Sequence, residues 1–270
     1  MMMEENTMKK LIALLCAMMM VLSACALAED DSLQKILDKG TFVLGLDASF
    51  PPMGFTDDYG NIVGFDIDVA KEVCNRLGVE LVCQPIDWDA KEMELNSYGI
   101  DCIWNGMTIT SDRLDSMNIS VPYLCNRQVV VVRADSNVTS LSDLAGKSLA
   151  LQAGSSAEDA LDSVPEFKAS LSQVVPYEDN TAALMDLNIQ GVDAVLVDEI
   201  VAGYYIATMG VDFIILDESL ADEEYGIGFR KGDDALSEKV DALLLEMAQD
   251  GTLAQISTAW FADDITVVGK

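Results

Sequence analysis

Unbroken apolar runs alternate with segments of helical period along most of this chain. The run over Thr41–Leu46 (TFVLGL) predicts a buried strand. Phe65, Val69, Val73 and Leu77 then recur every four residues with Ala70 and Cys74 beside them, which is one face of a helix, and Gly78 stops it. Further strands are predicted over 79–86, 100–104, 128–133 (QVVVVR), 149–152, 192–197 (VDAVLV) and 227–230. Gly154-Ser155-Ser156 opens a helix, and Ser155 with Glu158 fits a capping box. A late amphipathic helix carries Leu236, Val240, Leu243, Leu244 and Met247. Strands that are apolar throughout are covered on both faces. The pattern therefore predicts an α/β fold of mostly parallel sheets flanked by helices.

The N-terminus follows a different logic. Lys9 and Lys10 precede an apolar run over 11–22, which has the length of a signal-peptide core and is short for a membrane span. Leu22-Ser23-Ala24-Cys25 resembles a lipobox, which makes residues 1–25 a signal peptide and Cys25 the lipidated residue. Ala26-Leu27-Ala28 offers a competing cut that would leave a soluble, periplasmic form. Residues 26–30 read as a tether.

Composition narrows the function. The chain has 270 residues, half of them hydrophobic, enough for one large domain or two small ones. With 16 basic against 46 acidic residues the formal charge is -30, which excludes a nucleic-acid partner. Histidine is absent, so Ser-His-Asp and Cys-His catalysis and His-containing metal sites are excluded. No metal and no cofactor are expected. Cys74 and Cys83 fall on a helix and the next strand, where a bridge is possible; Cys102 and Cys125 read as buried thiols.

In α/β sheets ligands bind beyond the carboxyl ends of strands. Asp47 follows the first strand, Asn105, Gly106 and Thr108 the third, and Asp198 the VDAVLV run; Ser155 and Ser156 open a helix. Each has a plainer reading: Asp47 as a turn former, Asp198 and the serines as helix caps. Phe50 and Trp88 read as core aromatics or as a ligand platform. Arg113 stands in a first helical turn, where the helix dipole opposes a cation and a bound carboxylate would relieve it; a surface pairing with Asp112 or Asp115 is the alternative.

The order of motifs resembles bacterial extracellular solute-binding proteins of family 3, which serve polar amino-acid ABC transporters. The segments that carry it are GLDASFPPMGF (45–55), GFDIDVAKEV (64–73), Trp88-Asp89, GIDCIWNGMTITSDR (99–113), VPYLCNRQVVVVR (121–133), DLAGKSLALQAGSS (143–156), GVDAVLVDE (191–199), YGIGFRKGD (225–233) and DGTLAQISTAWF (250–261). The resemblance implies a two-lobe, type II periplasmic-binding-protein fold with two hinge strands. Lobe I would span 31–125 plus 226–270 and lobe II 130–220, with hinges near 124–129 and 220–225. It implies that Arg113 clamps a ligand α-carboxylate with Thr108 and the Ser156 N–H. Asp198 and the Gly106 carbonyl would take the α-ammonium, Phe50 and Trp88 would sandwich the side chain, and Asp47 would meet its far end. Asn105 and Gly106 stand where serines are frequent in basic-amino-acid binders. A polar or basic amino acid or cystine is the implied ligand, ABC permease subunits the implied partner, and a monomer, lipid-anchored or periplasmic, the implied form. A rival on the same fold is a cyclohexadienyl- or arogenate-dehydratase-like enzyme with Asp47 or Glu199 as its acid-base group.

Overall fold

A computed structural model describes residues 30–270; the expected signal segment, Cys25 and most of the tether lie outside the described residues. The strands are β1 (Thr41–Leu46), β2 (Ser49–Phe50), β3 (Gly54–Thr56), β4 (Ile62–Val63), β5 (Glu80–Pro85), β6 (Cys102–Thr108), β7 (Met117–Ile119), β8 (Leu124–Arg133), β9 (Ser148–Gln152), β10 (Gln173–Tyr177), β11 (Ala194–Asp198) and β12 (Phe213–Arg230). The helices are α1 (Ser32–Lys39), α2 (Phe65–Leu77), α3 (Lys91–Asn96), α4 (Ser111–Ser116), α5 (Ser156–Asp162), α6 (Pro165–Ser170), α7 (Asn180–Asn188), α8 (Glu199–Thr208), α9 (Asp234–Asp250) and α10 (Thr252–Phe261).

The main sheet runs β10-β9-β11-β8-β12-β6-β1-β5, with β7 also paired to β12. Its two ends are parallel triplets, β5-β1-β6 and β10-β9-β11. Between them β8 and β12 pair antiparallel, and each is antiparallel to its triplet neighbour. The expectation of two mostly parallel sheets joined by two further strands holds: the triplets are parallel, and the antiparallel pair β8 and β12 lies between them. The reason is connectivity: β8 carries the chain from one triplet to the other and β12 carries it back. Each triplet with its helices is one α/β lobe. Residues 124–129 and 219–225, which include both expected hinges, face one another in this crossing pair, from Leu124↔Tyr225 to Val129↔Ser219.

The apolar runs end where the pattern put them. Phe42, Leu44 and Leu46 of β1 are fully buried, as are Val130 and Val132 of β8 and Leu196 of β11. Each such side chain contributes roughly 1.5–3 kcal/mol by leaving water. Helix α2 keeps its expected bounds and ends at Gly78 in the left-handed conformation, with Gly78 N–H bonded back to Cys74 O. Strand β12 is far longer than the expected 227–230, and β10 and the small β2-β3-β4 sheet had no apolar run to announce them.

The cysteines need correcting. Cys74 and Cys83 are free thiols and form no bridge; burial, with the Cys83 thiol adding to it, pushes Cys74 up to about 12, which leaves little reactive thiolate. Cys102 is buried as expected, but Cys125 is exposed. Burial alternates along the start of β8, so Cys125 faces out while Leu124 and Asn126 face in.

Candidate functional site

The carboxyl ends of β6, β9 and β11 point at a common cleft between the triplets. Phe50, Trp88, Gly106, Thr108, Arg113, Ser155, Ser156 and Asp198 line one cavity there, and Gln152 joins them. The cavity is about 10 Å³, room for one water, so the lobes lie closed on one another.

Arg113 enters through α4, whose N-cap Thr110 accepts the Arg113 N–H at its Oγ1. The guanidinium is buried, 7% exposed, and donates to the Thr108 carbonyl at 2.9 Å and the Gly154 carbonyl at 3.5 Å. Among the described residues no carboxylate comes within 4.0 Å of it, so the expected surface alternative does not apply. Burial lowers its pKa from the ordinary value.

Asp198 ends β11 and is also buried. Its Oδ1 accepts from Asn126 Nδ2 at 2.8 Å and from the Tyr225 hydroxyl at 2.6 Å, and it caps no helix with its side chain. Burial, with the Glu223 carboxylate adding to it, pushes Asp198 up to about 7. A guanidinium and a carboxyl group, Arg113 and Asp198, therefore line one cavity without pairing.

Ser156 Oγ meets Thr108 Oγ1 at 3.0 Å across the cleft. Ser155 donates to the Gln152 carbonyl at 2.7 Å instead of capping α5, and Glu158 accepts the Gly154 N–H at 3.3 Å. The capping box is therefore absent.

Gly106 has φ +56, and a Cβ there would sit 2.7 Å from Phe50 Cε1 and 3.2 Å from the Tyr225 ring. Its N–H donates to Asp66 Oδ2 at 2.7 Å; Asp66 also accepts from the Tyr123 hydroxyl at 3.0 Å, and burial pushes it up to about 7.

Two expected residues stand outside the cavity lining. Asn105 is buried beside Gly54, and its Oδ1 accepts the Asp47 N–H at 3.1 Å. Asp47 lies one bond behind: its Oδ2 accepts from Gln152 Nε2 at 2.8 Å, and burial pushes it up to about 6.

Sequence reasoning missed Gln152, Lys91, Asn126, Gln128, Glu223 and Tyr225. Gln152 carried a usable signal, a polar residue closing an apolar strand, as Asp198 does. Asn126 and Gln128 alternate at period two into an apolar strand. Lys91 and Glu223 carried none. A wider groove of about 870 Å³ opens beside the crossing pair, lined in part by Asn126, Arg127, Asp222 and Glu223, and it shares Thr108 and Ser156 with the cleft.

The model of the bacterial extracellular solute-binding proteins, family 3, matches residues 42–263. The chain belongs to this family. This solute-binding protein is 29% identical to the L-cystine-binding protein TcyJ of Escherichia coli (strain K12), over 91% of each chain. It is 29% identical to the arginine-binding extracellular protein ArtP of Bacillus subtilis (strain 168), over 95% of this chain and 100% of that one. Among solved structures, an ABC uptake transporter substrate-binding protein from Streptococcus pneumoniae with bound histidine superimposes with a TM-score of 0.86 at 35% identity, over 89% of this chain and 99% of that one. Among the described residues no helix is long and apolar enough to cross a membrane.

Proposed function

We propose that this solute-binding protein captures a polar or basic amino acid between its lobes, outside the cytoplasm, and delivers it to the permease of an ABC importer. One observation carries the reading. A buried guanidinium and a buried carboxylate line the same cavity unpaired, and a zwitterion brings the counter-charge for each. Arg113 takes the ligand carboxylate with Thr108 and the Ser156 N–H. Asp198 takes the ammonium with the Gly106 carbonyl. Phe50 and Trp88 flank the side chain, and Gln152, backed by Asp47, meets its polar end. The named ligands of the relatives, cystine, arginine and histidine, are all polar amino acids and support that class.

Residues 31–125 and 226–270 form the first lobe and 130–220 the second, with bending near 124–129 and 220–225. Arg113 and Thr108 then belong to one lobe and Asp198 and Ser156 to the other, so both ends of the ligand are satisfied only when the lobes close. That differential is what a ligand needs to shift an open-closed equilibrium. Cys25 anchors the mature chain to lipid, and the protein acts as a monomer. The ligand leaves chemically unchanged. Of the acids an enzyme would use, Glu199 is bound to Arg127, with one bond of 2.9 Å, and does not line the cavity.

The test is a thermal-shift screen against the proteinogenic amino acids and cystine. A cognate ligand at 100 times its Kd adds about 2.7 kcal/mol of stability. Arg113→Lys keeps the charge but loses the planar fork, and should weaken that ligand by at least about tenfold. No shift with any of these ligands, or full affinity in the variant, would refute the reading.

A further inference from the structure

Glu223 lies on β12 opposite Asn126 of β8, in the crossing pair. Its neighbours Asp222 and Glu224 are exposed, and alternation turns Glu223 inward. Its Oε2 accepts from Asn126 Nδ2 at 2.8 Å, Thr108 Oγ1 at 3.1 Å and Gln128 Nε2 at 3.1 Å. The same Asn126 nitrogen donates to Asp198 Oδ1 at 2.8 Å. The two carboxylate oxygens therefore lie within twice that distance of each other, and among the described residues neither has an ion-pair partner. Beside them Asn126 Oδ1 and Gln128 Oε1 are buried acceptors with no hydrogen-bond partner among the described residues. The seam where the cleft meets the wider groove therefore gathers acceptors and negative charge, and a guest seated there must bring several donors and a cation.

We infer that Glu223 is a second anion of the ammonium site, so that the ligand's amino group is shared between Asp198 and a carboxylate carried by the hinge. The inference rests on the amino-acid reading above and deepens it. An ammonium has three N–H donors at tetrahedral angles, and two carboxylate oxygens plus one amide oxygen satisfy them. Because Glu223 rides on β12, the ammonium ties the crossing strand to both lobes at once, and the ligand's charge acts directly on the moving part.

The arrangement couples binding to a proton. The charged and titratable groups facing the pair are Arg113 from α4, the Tyr225 hydroxyl from β12, Asp159 from α5, and the Arg127–Glu199 pair with Asp222 at the groove. Burial, with the Glu223 carboxylate beside it, holds a proton on Asp198 to higher pH than an ordinary carboxylate keeps one. An arriving ammonium replaces that proton. Affinity should therefore rise as pH rises towards 7 and level off above it.

The experiment is titration calorimetry in phosphate and in Tris, at pH 6 and pH 8, with L-arginine or, where it does not bind, the amino acid giving the largest thermal shift. Wild type should bind about tenfold more weakly at pH 6 than at pH 8 and should release protons on binding at pH 6. Glu223→Gln, which is isosteric, should weaken binding about tenfold at pH 8 and flatten both the pH profile and the proton release. Glu223→Asp should restore part of each. A Glu223→Gln protein with the wild-type pH profile and proton count overturns the inference, even if its affinity or melting temperature falls, since a purely structural role would do that. Wild type that binds no amino acid overturns the parent reading, and the inference goes with it.

Discussion

Lys91 Nζ donates to the main-chain carbonyl of Gly154 at 2.8 Å, joining the start of α3 to the loop between β9 and α5 across the closed cleft. The same ammonium donates to the Trp88 carbonyl at 3.1 Å and stands 5.2 Å from the Trp88 ring centroid. Contact here is intimate, because a Cβ on Gly154 would fall 2.6 Å from Asp89 Oδ1. Burial, with Arg113 adding to it, lowers Lys91 to about 8.

Closure should therefore depend on pH through Lys91. An open cleft rehydrates the ammonium and returns it towards its ordinary pKa, so the open form binds the proton more tightly. Raising the pH from about 8 towards 10 then favours the closed form. Small-angle scattering should show a smaller radius of gyration at the upper end of this window. Lys91→Met should remove that dependence. An unchanged scattering profile across the window in wild type would exclude the mechanism.

Asp198 sets a second pH dependence, of opposite sign. Its pKa is raised from 3.8 to about 7, so the folded chain holds a proton that the unfolded chain gives up. The resulting stability is full below pH 3.8 and is lost as pH rises through 7. Asp198→Asn should stabilise the ligand-free protein at pH 8, by about 2 kcal/mol, because it removes a buried charge beside Glu223. The same change should weaken amino-acid binding by more than about tenfold. Chemical denaturation and calorimetry at pH 8 read both effects. A variant that lost stability and kept affinity would contradict the assignment.

Gln152 makes the bond that brings Asp47 into the site, with Nε2 donating to Asp47 and to the Glu178 carbonyl while Oε1 accepts from Asn180 at 3.1 Å. Gln152→Leu keeps the volume and leaves the Asp47 carboxylate short of a donor in the closed cleft. Affinity should fall about tenfold, with a larger loss for ligands whose side chain is polar at its end. A uniform loss across ligands, measured by calorimetry, would place Gln152 in closure alone.

Legibility in the sequence followed the range of the interaction. Strand β1 and helix α2 were readable to the residue because near neighbours decide their periodicity. Asp198 stood out as the polar end of an apolar strand and Arg113 as a cation in a first helical turn, and both line the cavity. Strand β12 was not readable, since residues 217–224 (DESLADEE) have a strand-averse composition, and their extended form comes from pairing with β8. Lys91 and Glu223 were hidden for the same reason. Each gains its role from a partner 63 to 115 positions away that only lobe closure or the crossing pair supplies. Cys125 was misread because an apolar neighbourhood does not say which face of a strand a residue takes.

Gly106 links backbone conformation to the ligand site. Its φ of +56 is disfavoured for a residue with a Cβ, and an added methyl would press on Phe50 Cε1 and the Tyr225 ring. Phe50 is packed on one side of the cleft, and Tyr225 holds Asp198 through its hydroxyl, so neither retreats without disturbing the site. Gly106→Ala should cost about 1–3 kcal/mol of stability from strain and overpacking. It should also weaken ligand binding beyond that, since the shift reaches both Phe50 and, through Tyr225, Asp198. Equilibrium denaturation combined with calorimetry separates the two. A stable variant with unaltered affinity would show that the Gly106 peptide has more room than the closed cleft displays.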